Sequence, residues 1–252
     1  MLDNLSVVLF DTKYPENIGS VARACKNMGC SEIKLVKPRM WDIEKAAPLA
    51  TVHSRDLLDN AQVFETLPDA LTGVSRVYGT TARTGGWRKG IMTPSTAAPM
   101  IIDSLRQGEK VSIVFGPEDR GLTNEETKCC SRLMNIPTNR ECTSLNLAQA
   151  VVIVLYECMK SALENPESVK GQQTERQISY EEQEILFSTM QDTLQNIDFL
   201  KPGNPEYWMM PVRRFLSRMN LRRNEFNLIM GVCRQVGWIA EKAGIKQKNT
   251  CD

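Results

Sequence analysis

The stretch LSVVLFDTKYPENIGSVARACKNMG, residues Leu5–Gly29, shows the order of predicted elements that is typical of the first two thirds of the chain. Its first part, Leu5–Phe10, is mostly apolar and predicts a buried strand. A polar loop follows, and Glu16–Met28 then has the apolar spacing of an amphipathic helix that ends at Gly29. A strand, a polar loop and a helix in succession indicate an α/β fold.

The same succession recurs up to about Ala162. Further strands are predicted at Ile33–Val36, Val74–Gly79, Val111–Phe115 and Leu133–Ile136, with a weaker candidate at Val63–Glu65. Strands that alternate with helices need crossover connections, so the prediction is a mostly parallel sheet with helices on both faces.

The N-termini of two later helices can be predicted from their capping residues. Thr123 and Glu126 have the spacing of a capping box. Leu145–Leu163 predicts a long apolar helix, with Thr143 and Ser144 as the candidates for its N-cap. Because this helix has little polar face, we expect it to be buried, in part against another subunit.

The composition changes after that helix. Glu164–Ser179 is polar and predicts a linker between a domain of residues 1–163 and a helical domain of residues 180–252. Residues 175–200 hold six acidic and one basic side chain, a net charge of −5, whereas residues 201–248 hold ten basic and three acidic, a net charge of +7. Helices are predicted at Tyr180–Ile197, Pro205–Met219 and Asn224–Ala243.

Composition excludes several classes of protein. With 252 residues, 42% of them hydrophobic, the chain can bury a sizeable core, and its net charge is only +1. Its one histidine, His53, rules out a multi-histidine metal site, and its eight cysteines form no C-x-x-C pair. The N-terminus is acidic and the longest apolar run, Ala150–Tyr156, is too short to span a bilayer. These features predict a soluble cytoplasmic protein with reduced thiols, no metal and a surface-exposed His53.

Chemistry is expected where the parallel strands end. In open parallel sheets, ligands bind beyond the carboxyl ends of the strands. Four polar loops would meet there: Asp11–Arg23, Gly79–Arg83, Gly116–Leu122 and Pro137–Asn146. Neither a G-x-G-x-x-G sequence nor a P-loop is present, so a nucleotide-like ligand would be bound without either common phosphate cradle.

The helix after the first strand allows two interpretations. Asn17 lies near its start and can cap it, and Gly19 permits the close approach of a backbone or a ligand. Its apolar face holds Ile18, Val21, Ala22, Cys25 and Met28, and Ser20, Arg23 and Asn27 lie opposite. Arg23 is then either a solvated surface residue or a group that binds a phosphate or ribose.

Three segments in order resemble the motifs of the SpoU/TrmH branch of the SPOUT methyltransferases. They are ENIGSVARACKNMG (Glu16–Gly29), IVFGPEDRGLTNEE (Ile113–Glu126) and IPTNRECTSLNLAQAVVIVLYE (Ile136–Glu157), and they are spread across the first 160 residues. Together with the helical C-terminus, they make the chain similar to the bacterial members that methylate cytidine and uridine riboses in tRNA.

The resemblance implies a deep C-terminal trefoil knot, a homodimer, and S-adenosyl-L-methionine bound in the knot at the subunit interface, without a metal. It also implies methyl transfer to a tRNA ribose 2′-hydroxyl, most naturally on a pyrimidine nucleotide of the anticodon loop. The implied cofactor-binding residues are Gly79, Thr80, Thr81, Ala82, Arg83, Phe115, Gly116, Glu118, Gly121, Ile136, Ser144, Leu145 and Asn146.

The residues implied to be catalytic are Arg23, Asn17 and Ser144. A permanently charged guanidinium suits charge stabilisation and substrate positioning better than proton abstraction, so we expect Arg23 to act in that way and to contact RNA. Two positions depart from the family pattern. Cys142 replaces a residue that is often aromatic, and Pro117 replaces one that is often polar or basic.

Five arginines of the C-terminal segment are the remaining candidates for RNA binding, and Trp208 and Phe215 lie among them. They would contact the tRNA backbone, unless they form a solvated helix face or the acidic stretch before them packs against them across the dimer. They are Arg213, Arg214, Arg218, Arg222 and Arg223.

Two other functions stay open at this point. One is a knotted methyltransferase that acts on an RNA base, which would need a general base at the target ring. The other is an RNA-binding factor that has kept the fold without catalysis.

Overall fold

The computed structural model describes residues 2–83, 90–139, 141, 143–164, 175–200 and 204–243. It divides into two units, Met1–Gln172 and Gln173–Asp252. Cys142 and residues 165–174 of the predicted linker lie outside the described residues.

Six strands form the sheet of the first unit, in the order β3-β2-β1-β5-β4-β6, and each strand is parallel to its neighbours. The prediction of a mostly parallel α/β sheet is therefore confirmed. The chain moves outward in one direction from β1 to β3 and then crosses to the other side, so the order reverses between β1 and β5, where such sheets bind ligands. The strands are β1 (Leu2–Phe10), β2 (Cys30–Val36), β3 (Gln62–Phe64), β4 (Arg76–Thr80), β5 (Val111–Phe115) and β6 (Arg132–Met134).

Helices connect and cover these strands. Three short ones between β2 and β4 were not predicted, because four or five residues hold too little periodicity to read. His53 is exposed in a 3₁₀ turn, Val52–Ser54, as expected. The helices are α1 (Pro15–Asn27), α2 (Ile43–Ala46), α3 (Arg55–Asp59), α4 (Leu67–Ala70), α5 (Pro94–Arg106), α6 (Asn124–Lys128) and α7 (Leu147–Glu164), with a further 3₁₀ turn at Ala47–Leu49.

Helix α1 packs as its pattern predicts. Ile18, Val21 and Cys25 are fully buried on its apolar face. Gly19 is buried as well, and a Cβ atom there would lie 1.9 Å from the carbonyl oxygen of Ala46. Of the two expected partners of Gly19, a backbone or a ligand, it is the backbone at the end of α2 that approaches closely.

Helix α7 differs from its prediction in two ways. It begins at Leu147, and Asn146 caps it, because its Oδ1 accepts hydrogen bonds from the amides of Ala148 at 2.9 Å and Gln149 at 3.4 Å. Thr143 and Ser144 are therefore not its cap. One face packs on α1 and α5 and buries Val151, Val154, Leu155 and Cys158, whereas Val152, Tyr156 and Leu163 are exposed on the other. The expected burial thus holds for only one face within this chain.

Three helices make up most of the described part of the second unit: α8 (Tyr180–Asn196), α9 (Pro205–Arg218) and α10 (Arg223–Lys242). Their ends agree with the predicted ranges to within one residue. Ile178, Leu186, Phe187, Leu216, Leu221 and Phe226 form their core. A capping box of Ser179 and Glu182 begins α8. In the described residues of both units, no helix combines the length and apolarity needed to cross a bilayer.

Candidate active site at the carboxyl ends of the strands

A pocket of about 430 Å³ lies at the carboxyl ends of β4, β5 and β6. Its wall is formed by residues 80–83, 115–122, 134–136 and 143–145, together with Leu147 and Ala150 of α7. Eleven of the thirteen implied cofactor-binding residues line it, and Gly79 and Asn146 do not. Five further lining residues belong to loops that were expected to meet at the strand ends: Pro117, Asp119, Arg120, Leu122 and Thr143. Four were not expected from the sequence, because their position depends on how the strands and α7 pack: Met134, Asn135, Leu147 and Ala150.

Hydrogen bonds join the loops that form this wall. Arg83 Nη2 donates to the carbonyl oxygens of Leu122 at 2.6 Å and Arg120 at 3.2 Å. Asn135 Nδ2 donates to the carbonyl oxygen of Thr81 at 2.8 Å, and the Thr81 amide donates to that of Met134 at 2.9 Å. These hydrogen bonds fix the loops of the pocket wall relative to one another.

The loop after β5 turns back tightly on itself. The Gly121 amide donates to the carbonyl oxygen of Pro117 at 2.8 Å, and Gly121 has a φ of +61°. A Cβ atom on Gly116 would lie 2.4 Å from the Leu122 nitrogen. The shape of this loop therefore requires both glycines. Gly121 adopts a left-handed backbone conformation, and Gly116 leaves room for the backbone of Leu122.

Asn17 connects the three sequence motifs. Its Nδ2 donates to Glu118 Oε1 at 2.6 Å, and its Oδ1 accepts from Asn146 Nδ2 at 3.1 Å. Glu118 Oε2 also accepts from the Lys13 amide at 3.1 Å. Asn17 does not cap α1, because it lies inside the helix and the N-cap residue is Tyr14, whose side chain makes no capping hydrogen bond, so the capping interpretation was wrong.

Arg23 and Ser144 have different positions relative to the pocket. Ser144 lines it and is exposed at its rim. Arg23 is exposed on α1, does not line the pocket, and forms no ion pair with any residue that the structure describes. The structure therefore brings Asn17, Glu118, Ser144 and Asn146 to one region but leaves Arg23 outside the pocket of its own chain.

In the second unit, the five arginines do not form one open patch. Arg213 Nη2 lies 2.5 Å from Glu184 Oε1 and its guanidinium lies 4.4 Å from the Phe187 ring centre. Arg223 pairs with Glu182. Arg222 Nη1 donates to the carbonyl oxygen of Glu175 at 2.6 Å.

The remaining two arginines are neighbours on α9. Burial, and then the charge of Arg218, lower the pKa of the Arg214 guanidinium. Arg218 itself is exposed. Pairing of acidic with basic residues thus occurs inside this unit, through Arg213 with Glu184 and Arg223 with Glu182.

No cluster of three or more His, Cys, Asp or Glu side chains that could hold a metal ion occurs in the described part of the chain.

Comparisons with known proteins find relatives along nearly the whole chain. A family model described as the SpoU rRNA Methylase family matches residues 4–156, and one described as the C-terminal domain of the tRNA methyltransferase TrmJ matches residues 181–248. The tRNA (cytidine/uridine/adenosine-2′-O-)-methyltransferase TrmJ of Pseudomonas aeruginosa is 35% identical over 99% of this chain and 100% of its own length. The tRNA (cytidine/uridine-2′-O-)-methyltransferase TrmJ of Escherichia coli is 34% identical over 94% of this chain and 96% of its own. The crystal structure of TrmJ from Z. mobilis superposes with a TM-score of 0.75 at 32% identity, over 92% of this chain and 98% of that one.

Proposed function

This chain belongs to the SpoU methylase family, and from that premise we propose that it transfers a methyl group from S-adenosyl-L-methionine to a ribose 2′-hydroxyl of tRNA. The observation that carries the proposal is the pocket at the carboxyl ends of the strands, where residues of the second and third motifs meet and Asn17 of the first is bonded to both. The proposed target is a pyrimidine nucleotide of the anticodon loop, and a tRNA substrate would place the enzyme in the cytoplasm.

The pocket suits S-adenosyl-L-methionine in size and in chemistry. Its volume lies in the range of pockets that enclose molecules of this size. Leu122, Ile136, Leu145 and Ala150 offer apolar surface for an adenine ring, and the bonded loops supply polar groups for the ribose and amino-acid ends. Bound there, the cofactor would supply a methyl group activated by a sulfonium charge.

The chain's own residues would orient the ribose and stabilise its charge. Negative charge develops on a 2′-oxygen as it loses its proton, so a fixed cation lowers the barrier. Arg23 is the cation proposed for this role, and it would also hold the adjacent phosphate. Asn17 is fixed between Glu118 and Asn146, and Ser144 at the rim can donate or accept a hydrogen bond. Holding the two reacting groups in line would supply much of the rate.

We also propose a homodimer and the C-terminal knot that the family resemblance implies. The exposed apolar face of α7 supports the dimer, since Val152, Tyr156 and Leu163 lie on one helix and are uncovered within one chain. The position of Arg23 outside its own pocket supports it too, because a second subunit can complete a site that one chain leaves incomplete. For the knot, the support is that the segments before and after residues 137–142 line the same pocket.

The second unit would bind the body of the tRNA. Its support is the match of residues 181–248 to the C-terminal domain model, together with exposed Arg218, Trp208 and Phe215 on α9. Arginine and aromatic side chains suit phosphate and base contacts respectively.

The proposal is tested by incubating the protein with S-adenosyl-L-methionine carrying a labelled methyl group and a set of tRNA transcripts. Nucleoside mass spectrometry and site mapping then locate the label. We expect 2′-O-methylcytidine or 2′-O-methyluridine in the anticodon loop. Label on a base would overturn ribose methylation, label on adenosine would overturn the pyrimidine preference, and cofactor binding without transfer to any tRNA would indicate a different substrate.

A further inference from the structure

Five charged side chains form a cluster beside the pocket. Asp11 follows β1, Arg39 lies three residues beyond β2, Asp119 and Arg120 belong to the loop after β5, and Glu126 lies in α6. Since β2, β1 and β5 are adjacent, the cluster joins the carboxyl ends of three neighbouring strands. Asp11 and Arg39 lie outside all three sequence motifs and do not line the pocket, whereas Asp119 and Arg120 line it.

Arg39 bridges two carboxylates that belong to different loops. Its Nε and Nη2 donate to the two oxygens of Asp11 at 2.9 and 3.0 Å. Its Nη1 and Nη2 donate to the two oxygens of Asp119 at 2.9 and 3.3 Å. The hydrogen bonds from Arg39 lower the pKa of both carboxyl groups, so both stay charged at neutral pH. The planar fork of a guanidinium can make these paired contacts, and an ammonium group cannot.

Arg120 ties the same loop to Asp11 from the other side. Its Nη2 donates to Asp11 Oδ2 at 3.1 Å, and Nη1 and Nη2 donate to the two oxygens of Glu126, each at 3.1 Å. Asp11 itself has a φ of +53°, a left-handed backbone conformation that is uncommon outside glycine. Asp11, with its strained backbone, therefore accepts hydrogen bonds from both Arg39 and Arg120.

Glu118 immediately precedes the two residues that this cluster holds. We propose that Arg39, acting through Asp11 and Asp119, is a positioning residue. It fixes the loop of residues 116–122 in the shape that forms the pocket wall and presents Glu118 to Asn17. The identity of the ligand, S-adenosyl-L-methionine, rests on the proposed function. The shape of the loop does not, because the hydrogen bonds that fix it join groups of this chain only.

The test compares the wild-type protein with the variants Arg39→Ala and Arg39→Lys, and with Arg55→Ala as a matched control. Arg55 is 41% exposed against 37% for Arg39, it also contacts two carboxylates, those of Asp59 and Glu44, and it does not line the pocket. Calorimetric titration with S-adenosyl-L-methionine measures affinity. Hydrogen–deuterium exchange of residues 116–126 in the ligand-free protein measures the loop directly.

We expect Arg39→Ala and Arg39→Lys to weaken cofactor binding about fivefold, a loss of the size seen when an exposed ion-pair network is broken. Amide hydrogen exchange of residues 116–126 should be faster in these two variants. Arg55→Ala should have the cofactor affinity and the exchange rates of the wild type. Wild-type affinity and exchange in Arg39→Ala would overturn the proposal. Equal losses of cofactor affinity in Arg39→Ala and Arg55→Ala would also overturn it. So would wild-type affinity and exchange in Arg39→Lys, because a positive charge alone would then be sufficient. Failure of the wild type to bind the cofactor would contradict the proposed function instead, and the exchange data alone would then decide the proposal.

Discussion

Arg23 lies on the exposed face of α1 and forms no ion pair with the described residues. A cation in this position is available for a phosphate or for charge that develops on a ribose oxygen. We predict that Arg23→Ala lowers the single-turnover rate of methyl transfer by roughly 10²–10³-fold, the cost of removing one group that stabilises developing charge. Affinity for S-adenosyl-L-methionine should stay nearly the same, because Arg23 does not line the pocket of its own chain and its proposed partners are the ribose and phosphate of the tRNA.

Asn27→Ala is the matched control for this prediction, since Asn27 is exposed on the same face of α1 one turn further along. It should retain the wild-type rate. If Arg23→Ala also turned over at that rate, the catalytic assignment would be wrong, and if it lost cofactor binding, the arginine would belong to the cofactor site.

Asn17 shows which part of the site can be predicted from a sequence. The motifs identify Asn17, Glu118 and Asn146 as functional, but spacing along the chain suggested a local capping role for Asn17. Its actual partners are 101 and 129 residues away in sequence. Capping is a contact within one turn and can be inferred from neighbouring residues, whereas these bonds depend on how the strands are ordered. The role of Arg39 was not predicted for the same reason, because its partners Asp11 and Asp119 are 28 and 80 residues away in sequence.

Two glycines within helices have opposite surroundings, although helix propensity treats them alike. A Cβ atom on Gly19 of α1 would overlap the Ala46 carbonyl, whereas one on Gly231 of α10 would meet no atom within 4 Å. We predict that Gly19→Ala destabilises its unit by about 1–3 kcal/mol through overpacking. Gly231→Ala should stabilise α10 by roughly 0.5–1 kcal/mol by restricting the unfolded chain. Amide exchange of α1 and α10 in both variants measures these changes, and effects of the same sign would contradict the packing described for one of them.

The start of α8 depends on the charge of Glu182. Its carboxylate accepts from the Ser179 amide at 2.9 Å and pairs with Arg176 and Arg223. The hydrogen bonds from Arg176 are the main cause that lowers the pKa of Glu182 below its usual 4.5. A lowered folded-state pKa means that this stabilisation is present above pH 4.5 and is lost as the pH falls through the folded value.

We therefore predict that Glu182→Gln loses about 1 kcal/mol of α8 stability at neutral pH, while glutamine keeps the capping geometry. The difference from the wild type should shrink as the pH is lowered from about 5 towards about 2. Helix content and amide exchange across this range measure it. Glu241→Gln, at an exposed position near the end of α10, is the control and should show no such difference. A difference that persists in acid would mean that the charge of Glu182 is not what stabilises α8.

At the scale of the whole molecule, the two units are proposed to divide the work of binding. The pocket lies entirely in the first unit, so a protein that ends at residue 172 should bind S-adenosyl-L-methionine as the full chain does. We predict that its affinity for tRNA falls at least about tenfold at moderate salt and that its affinity depends less on salt concentration, since fewer phosphates are contacted. Filter binding at several salt concentrations measures the affinity for tRNA and its salt dependence. If the logarithm of the affinity fell with the logarithm of the salt concentration as steeply as in the full chain, RNA binding by the second unit would be refuted.

The sequence indicated a parallel sheet but not its strand order, because each strand reads only as buried and the choice of neighbours is made by contacts far apart in the chain. The two faces of α7 were hidden for a related reason. Its apolar residues surround the helix, so the pattern did not separate the face that packs on α1 and α5 from the face left uncovered.

That uncovered face leads to a prediction about assembly. Val152 is 38% exposed and Tyr156 is 53% exposed in the single chain, and a second copy is proposed to cover them. Tyr156→Asp would place a charge in that interface, so we expect the dimer dissociation constant to rise by at least about a hundredfold. Val52→Asp is the control, because Val52 is 90% exposed and belongs to the 3₁₀ turn Val52–Ser54 and not to α7. Light scattering over a concentration series should show dimers for the wild type and Val52→Asp and monomers for Tyr156→Asp. A dimeric Tyr156→Asp would place the interface elsewhere, and a monomeric wild type would require the site to be complete within one chain.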